Sequence, residues 1–313
     1  MKKTEKLSAI LRSKNQSFFL EAHNALSARI VEEAGFEGIW ASGLSIAASL
    51  MVRDNNEISW TQVLGLLEFM SDCTTIPILM DADTGYGNFN NVRRLVTKCE
   101  QRDIAGICLE DKIFPKCNSF RLSASQVLAP IKEFCGKIRA AKDTQQDPSF
   151  SVVARTEAFV IGATLTETLE RCDAYAQAGA DALLIHSKKA TTEDIELFMS
   201  SWDRSVPVII VPTTYANALS HQLLNELEIT LVLWANHMVR ASIWHMQKIA
   251  SLIFERKNVK DVTMQIASIE EIFRLQDAEE LSSAEKKYLT PHLDRQVKLQ
   301  LDKGSNVIKR LAE

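Results

Sequence analysis

Eight short apolar runs recur along the first 240 residues, separated by longer segments of mixed polarity. They are rich in Ile, Val, Leu and Phe, and most lack strict alternation of polar and apolar positions. Such runs are typical of strands that are buried on both faces of a parallel sheet. The predicted strands are residues 17–23, 38–43, 76–83, 105–111, 150–156, 181–187, 206–213 and 230–236.

The segments between these runs have the length and apolar spacing of amphipathic helices, as residues 24–35 and 164–179 illustrate. Gly35 and Gly179 directly precede the next strand and are placed as helix C-caps. Eight strands alternating with helices predict a (β/α)8 TIM-type barrel. A doubly wound open sheet is the alternative, but it normally has fewer strands, and no GxGxxG motif follows a strand here.

The C-terminal part of the chain, residues 240–313, has apolar positions at helical spacing. We expect it to form extra helices that cover the barrel or contact another subunit. The chain 1–313 is therefore predicted to be a single barrel domain, with residues 240–313 as C-terminal helices at the subunit interface.

Composition narrows the class of protein. The 313 residues are 46% hydrophobic and 24% charged with a net charge of −4, which indicates a globular protein without a basic surface for nucleic acid or anionic membrane. The N-terminus lacks the apolar core of a signal peptide, and no run has the length of a membrane span. The six cysteines form no CxxC pair, which fits a reducing cytoplasm rather than a zinc or disulfide framework.

Polar side chains stand at the predicted C-terminal ends of the strands, where barrel enzymes place their active sites. We expect them to converge on one mouth, together with Asp54 from the loop after the second strand. They are His23, Ser42, Asp81, Asp83, Glu110, Arg155, His186, Thr213 and Asn236.

Four of the mouth residues are acids: Asp54, Asp81, Asp83 and Glu110. Asp81 or Asp83 alone has a structural interpretation, such as capping the next helix or pairing with a lysine. Together they favour a Mg²⁺ platform, because this cation takes oxygen ligands and usually keeps several waters.

The other mouth residues allow two interpretations each. Arg155 ends an apolar strand, where it either pairs with Glu157 or Glu110 or binds a substrate carboxylate or phosphate. His186 alone is more often a structural histidine, and Ser42-Gly43 is either a tight turn or a close approach of backbone to ligand. The residues by themselves therefore predict a Mg²⁺-dependent barrel enzyme that acts on a small anion, without fixing the reaction.

Two specific motifs occur at these strand ends: DADTGYGN at 81–88 and LEDKIFPK at 109–116. With further segments such as VARTEAF and WANHMVRAS, they resemble the phosphoenolpyruvate mutase family of the isocitrate lyase superfamily over nearly the whole chain. The resemblance implies an α/β barrel whose last helix is exchanged between the subunits of a homodimer or homotetramer.

The resemblance also implies an activity, the interconversion of phosphoenolpyruvate and 3-phosphonopyruvate with Mg²⁺ as cofactor. This isomerase reaction forms a P–C bond and is the first step of phosphonate biosynthesis. Phosphoryl transfer usually passes through a dissociative, metaphosphate-like state, so catalysis is mainly positioning and electrostatic stabilisation. Asp54 has also been given the role of a nucleophile in the family, but a carboxylate surrounded by acids is better used on metal-bound water.

The resemblance assigns metal ligands and catalytic residues. It implies that Asp81 contacts Mg²⁺ directly, while Asp54, Asp83 and Glu110 hold the metal through water. The implied catalytic residues are Asp54, Lys116, Asn118, Arg155 and His186.

The resemblance also implies a substrate-binding set. Arg155 and His186 would hold the phosphoryl group, and a loop around residues 116–127 would exclude water. The remaining implied contacts to substrate are Trp40, Ser42, Gly43, Leu44, Asn118 and Ser119.

Relatives with other activities remain as alternatives. Phosphonopyruvate hydrolases have threonine at the position of Asn118, so the asparagine favours the mutase. Carbon–carbon lyases carry a catalytic cysteine in a K-[KR]-C-G-H loop, but Cys117 directly follows Lys116, one place too early. The stretch 120–130 also departs from the DGR-containing loop of many mutases. A barrel with a degraded site would be a non-enzyme, but the retained acids argue against it.

Overall fold

The computed structural model describes residues 1–121, 126–203 and 205–289. Its strands form a closed parallel barrel in chain order, in which the last strand pairs with the first. The strands are β1 (Ser17–Ala22), β2 (Gly38–Ala41), β3 (Ile78–Asp81), β4 (Gly106–Glu110), β5 (Ser151–Thr156), β6 (Ala182–Ile185), β7 (Val208–Ile210) and β8 (Leu231–Trp234). Each predicted run contains one strand, so the TIM-type barrel is confirmed and the open sheet is wrong.

Two layers of apolar side chains explain why the runs lack alternation. Alternate strand residues such as Phe19, Leu79 and Val153 fill the barrel interior, and their neighbours pack outward against the helices. Packing inside the barrel is close: a Cβ on Gly38 would lie 2.2 Å from the ring of Phe19, so glycine is required there.

The helices surround this barrel. They are α1 (Lys3–Arg12), α2 (Ala25–Glu33), α3 (Gly43–Ser49), α4 (Trp60–Asp72), α5 (Phe89–Glu100), α6 (Ile131–Thr144), α7 (Ala158–Ile161), α8 (Leu165–Gln177), α9 (Glu193–Ser201), α10 (His221–Glu226), α11 (His237–Arg256), α12 (Ile269–Leu275) and α13 (Ala278–Tyr288). Gly35 and Gly179 follow α2 and α8 with φ of +91° and +102°, which confirms their predicted role in ending these helices.

Helix α1 was not predicted from the sequence. Its Leu7 and Leu11 are buried and belong to the apolar cluster inside the barrel. Leu7 lies close to Gly106 at the start of β4, so α1 covers the N-terminal end of the barrel. The C-terminal ends of the strands are thereby left as the accessible mouth.

The chain separates into two compact units, Met1–Met246 and Gln247–Glu313. Helices α11, α12 and α13 confirm the expected additional C-terminal helices, while Thr290 and the residues after it lie outside the described part. The single-domain organisation and the subunit interface at 240–313 stay predictions. In the described part of the chain, no helix is both long and apolar enough to cross a membrane.

Candidate active site

A cavity lies at the C-terminal ends of the strands, where the sequence placed the mouth. It gathers almost all of the predicted site residues. Those that line it are Trp40, Ser42, Leu44, Asp54, Asp81, Glu110, Lys116, Asn118, Ser119, Arg155, His186, Thr213 and Asn236.

Three of the predicted residues do not line the cavity: Gly43, Asp83 and His23. Gly43 and Asp83 do not line the cavity but touch its acids, because the Gly43 N–H donates to Asp81 Oδ2 at 3.2 Å and the Asp83 N–H to Asp81 Oδ1 at 3.3 Å. His23 does not line the cavity at all, so its predicted convergence is wrong. Its Nδ1 lies 2.6 Å from Oε1 of Glu21, a buried residue of β1, the strand that ends just before His23.

The acids reach the mouth from strand ends and one loop. Asp81 and Glu110 are the last residues of β3 and β4, and Asp54 precedes α4. Asp83 follows two residues after Asp81 with a φ of +49°, a left-handed conformation that aspartate tolerates better than most residues. All four carboxylates are largely shielded from water.

Lys116 lies against this acidic cluster. Its Nζ pairs with Asp54 Oδ1 at 2.7 Å and also with Asp83 Oδ1. Its backbone N–H donates to Asn56, whose side-chain amide donates to Asp83 at 2.7 Å. The structural interpretation of an acid paired with a lysine therefore holds for Asp83, and Asp54 shares the same lysine.

The electrostatics of the cluster follow from burial and the excess of acids. Burial, reinforced by the neighbouring carboxylates, raises the pKa of Asp83 to about 8 despite the opposing charge of Lys116. Burial alone would lower the pKa of Lys116, but Asp83 and Asp54 outweigh it and raise that pKa well above its usual range. Burial would likewise raise the pKa of Asp54, yet Lys116 and Asn118 lower it.

The donor set fits Mg²⁺. All four side chains offer carboxylate oxygens, and Glu110 Oε1 is buried without a hydrogen bond from the described residues. Among those residues, no three His, Cys, Asp or Glu side chains are gathered closely enough to enclose a metal by themselves. Such an arrangement suits an ion that keeps several waters and takes few direct protein ligands.

Arg155 and His186 form the cationic side of the cavity, and both contact Glu157. Arg155 Nη2 lies 2.6 Å from Glu157 Oε1 and 3.6 Å from Glu110 Oε2, so both partners proposed from the sequence are present. His186 Nδ1 lies 2.6 Å from the same Oε1. Burial would raise the pKa of Glu157, but Arg155 and His186 lower it well below its usual range.

The contacts of His186 determine which ring nitrogen carries the proton. Its Nδ1 lies between Glu157, which only accepts, and Arg155 Nη2 at 3.0 Å, which only donates. A hydrogen on Nδ1 donated to Glu157 satisfies all three groups. Burial lowers the pKa of His186 and outweighs the opposing effect of Glu157. Within the described residues, His186 Nε2 and Arg155 Nη1 make no hydrogen bond, and both residues line the cavity.

A segment from Lys116 to Phe120, called the covering segment below, lies across the cavity. Asn118 Nδ2 donates to Asp54 Oδ2 at 2.6 Å. The ring of Phe120 meets the ring of His186 edge-on at 5.9 Å between centroids. The predicted loop continues through residues 122–125, which lie outside the described residues.

Sequence reasoning missed Lys112, Asn56 and Phe120, and it treated Glu157 only as a partner of Arg155. The signals were present. Lys112 stands inside the LEDKIFPK motif, and Glu157 follows Arg155 by two residues, the spacing of side chains on one face of a strand. Neither signal shows that Lys112 and Glu157 form an ion pair in the folded protein.

Comparison with known proteins agrees with this geometry. Residues 7–254 match the family model for phosphoenolpyruvate phosphomutase. A phosphoenolpyruvate phosphomutase of Tetrahymena pyriformis is 55% identical over 288 residues, which cover 92% of this chain and 96% of that protein.

Solved structures show the same relationship. The phosphoenolpyruvate phosphomutase of Streptomyces platensis subsp. rosaceus superposes with a TM-score of 0.89 at 40% identity, covering 92% of this chain and 99% of that one. A phosphonopyruvate hydrolase in complex with oxalate and Mg²⁺ superposes with a TM-score of 0.87 at 36% identity, covering 93% of this chain and 100% of that one. The chain is therefore an enzyme for a small-molecule substrate and belongs to the phosphoenolpyruvate phosphomutase family.

Proposed function

We propose that the protein interconverts phosphoenolpyruvate and 3-phosphonopyruvate. One observation carries the proposal: the cavity brings a surplus of carboxylates together with the Arg155–His186 pair, and Asn118 lies across it on Asp54. A substrate with a phosphoryl group at one end and a metal-chelating pyruvyl group at the other matches both sides.

The reaction requires that the phosphoryl group be held while pyruvate enolate turns beside it. The P–O bond of the enol ester breaks with its electron pair on the enolate oxygen, and the enolate carbon then forms the P–C bond, so no external reactant is needed. Arg155 Nη1 is a donor available to the oxygens of the migrating group, and His186, anchored through Nδ1 on Glu157, lies beside it. The intermediate is metaphosphate-like, as is usual for phosphoryl transfer.

The pyruvyl end is expected at the other wall. Trp40 packs against it, and Ser42 with the backbone at Gly43 and Leu44 binds its oxygens. Asp81 would hold Mg²⁺ directly and Asp54, Asp83 and Glu110 through water; the ion, when bound, would stabilise the enolate charge.

Water must be excluded because a free metaphosphate-like group would be hydrolysed. Asn118 supports the mutase over the hydrolase here, because its amide is already ordered by Asp54 at the edge of the cavity. Lys116 beside Asp54 and Asp83 adds positive charge near the enolate oxygens and completes the catalytic set. The carbon–carbon lyase alternative has no comparable support, since Cys117 is followed by Asn118 rather than glycine.

We also infer the setting in which the enzyme works. Helix α11 exposes apolar side chains, which supports a homodimer or homotetramer with exchanged helices. All six cysteines are free thiols, in keeping with a reducing compartment such as the cytoplasm.

The direct test is ³¹P NMR of the purified protein with phosphonopyruvate and Mg²⁺. Conversion of the phosphonate signal to phosphoenolpyruvate is the expected result. Dominant free phosphate would instead establish the hydrolase, and no Mg²⁺-dependent change would refute both activities.

The variant Asp81→Ala tests the metal assignment in the same assay. We expect turnover to fall at least about 100-fold. Substitution of residues that only support a metal ligand typically lowers metal affinity or activity by about 10–100-fold, and a direct ligand should matter more. Circular dichroism should remain that of the folded barrel. Near-normal turnover in this variant would refute Asp81 as the direct ligand.

A further inference from the structure

Lys112 is a buried lysine that no role described so far requires. It is 2% exposed, and its ammonium has three acceptors: Cys117 O at 2.8 Å, Ser119 Oγ at 2.7 Å and Glu157 Oε2 at 2.9 Å. An ammonium has three N–H donors, so the set is complete. Two of the three acceptors belong to the covering segment.

Glu157 joins this lysine to the phosphoryl side of the cavity. Its Oε1 accepts hydrogen bonds from Arg155 and His186, while its Oε2 accepts them from Lys112 and the hydroxyl of Ser119. One fully buried carboxylate therefore contacts the two residues expected to hold the migrating group and also the segment that covers it.

Glu157 is held in place independently of Lys112. Its backbone N–H donates to Asp111 Oδ1 at 2.8 Å, and Asp111 Oδ2 is in turn held by Thr156 and Tyr175 at 2.9 and 2.8 Å. Arg155 still neutralises Glu157 if Lys112 is removed. Loss of Lys112 should therefore loosen the covering segment at Cys117 and Ser119 while leaving the phosphoryl-binding pair anchored.

We propose that Lys112 is a positioning residue that holds the covering segment against Glu157, so that water stays away from the migrating phosphoryl group. The proposal rests on the mutase function above. It predicts a specific defect: the chemistry continues, but more of the phosphoryl groups are lost to water.

The test compares Lys112→Met with wild type in the ³¹P NMR assay with phosphonopyruvate and Mg²⁺. The ratio of free phosphate to phosphoenolpyruvate should rise about tenfold, the effect of losing roughly one charge-assisted hydrogen bond. Amide hydrogen exchange in peptides covering residues 113–121 should quicken in the same variant. An unchanged product ratio with unchanged exchange would overturn the proposal.

Lys3→Met is a matched control at the other end of the barrel. Lys3 is also buried; its Nζ donates to Ser71 O and Ser71 Oγ, each at 2.7 Å, and pairs with Asp103 Oδ2 at 3.4 Å. This variant loses an equivalent set of contacts far from the mouth, so its product ratio should stay at the wild-type value. An equal rise in both variants would mean that the effect is general destabilisation.

Ser119→Ala provides a second route, because it removes the hydroxyl that bridges Lys112 and Glu157 without removing a charge. If the residues act together, the double variant should release no more phosphate than Lys112→Met alone. Additive effects of the two substitutions would contradict the proposal. If Lys112→Met does not fold, a wild-type ratio of phosphate to phosphoenolpyruvate in Ser119→Ala would contradict it as well. Failure of the wild type to convert substrate would instead reject the mutase function itself.

Discussion

At the residue scale, the side chain of Asn118 is held at both ends of its amide. Its amide nitrogen donates to Asp54, and its Oδ1 accepts the backbone N–H of Phe120 at 2.9 Å. Both ends of the amide are therefore used, and the side chain is ordered at the cavity edge. Threonine is shorter and has no amide, so it cannot make both contacts.

Asn118→Thr is therefore expected to shift products toward pyruvate and phosphate. The loss of one ordered amide should raise the share of phosphate several-fold, roughly the effect of one hydrogen bond. ³¹P NMR of the variant beside wild type measures the ratio directly. A wild-type ratio would show that Asn118 does not exclude water.

Glu157 provides a second prediction at this scale, in the pH dependence of stability. Its folded pKa lies well below the usual 4.5, so its contribution to the free energy of unfolding is present above pH 4.5 and is lost as the pH falls toward the folded pKa. Glu157→Gln removes this contribution. The difference in Tm between wild type and the variant should therefore be large near about pH 7 and shrink below about pH 4.5.

Calorimetry at several pH values measures this difference. Glu68→Gln is the control, because Glu68 is an exposed partner of Arg102 at 3.3 Å, and surface pairs contribute little. Its Tm should follow wild type across the range. A pH-independent difference for Glu157→Gln would mean that the carboxylate charge is not what stabilises the fold.

At the scale of elements, the sequence specified the strands better than the contacts between them. Runs that are apolar on both faces are typical of central strands, and Asp81 and Glu110 end two of them, so their meeting at one mouth was predictable. Helix α1 was not predicted, since its polar sequence has few apolar positions. The pairing of Lys112 with Glu157 depends on side-chain geometry that no spacing rule encodes.

The start of α3 offers a test of how an element positions the acids. A Cβ on Gly43 would lie 3.1 Å from Asp83 Oδ1 and 3.2 Å from Asp81 Oδ2, so Gly43→Ala should displace both carboxylates. We expect Mg²⁺ affinity, measured by calorimetric titration without substrate, to weaken about tenfold or more.

Gly65→Ala in α4 is the matched control, because a Cβ there meets nothing within 4 Å. It should bind Mg²⁺ as wild type does and should be up to about 1 kcal/mol more stable, as alanine is in a helix interior. Unchanged Mg²⁺ affinity in Gly43→Ala would show that the acids near α3 do not hold the metal.

At the scale of the whole molecule, the two ends of the barrel differ in chemistry: one is apolar and the other is charged. Helix α1 fills the N-terminal end with apolar contacts, and the buried charges of the mouth compensate one another in pairs and triads. Burying so many charges costs free energy unless each has a partner of opposite charge. Removal of one partner is therefore expected to destabilise the fold, because it leaves the other charge buried and unpaired.

Helix α11 exposes Ile243, Trp244 and Met246, of which Trp244 is 61% exposed. Clustered exposed apolar side chains mark association surfaces, and large aromatic residues often dominate them. Wild-type protein should therefore be a dimer or tetramer by light scattering after size exclusion, and Trp244→Glu should weaken association about 30-fold or more. Leu197→Glu, at a half-exposed position of α9 outside residues 240–313, should leave the mass unchanged. A monomeric wild type at micromolar concentration would refute the exchanged-helix assembly, because the apolar face of α11 would then be stable in water.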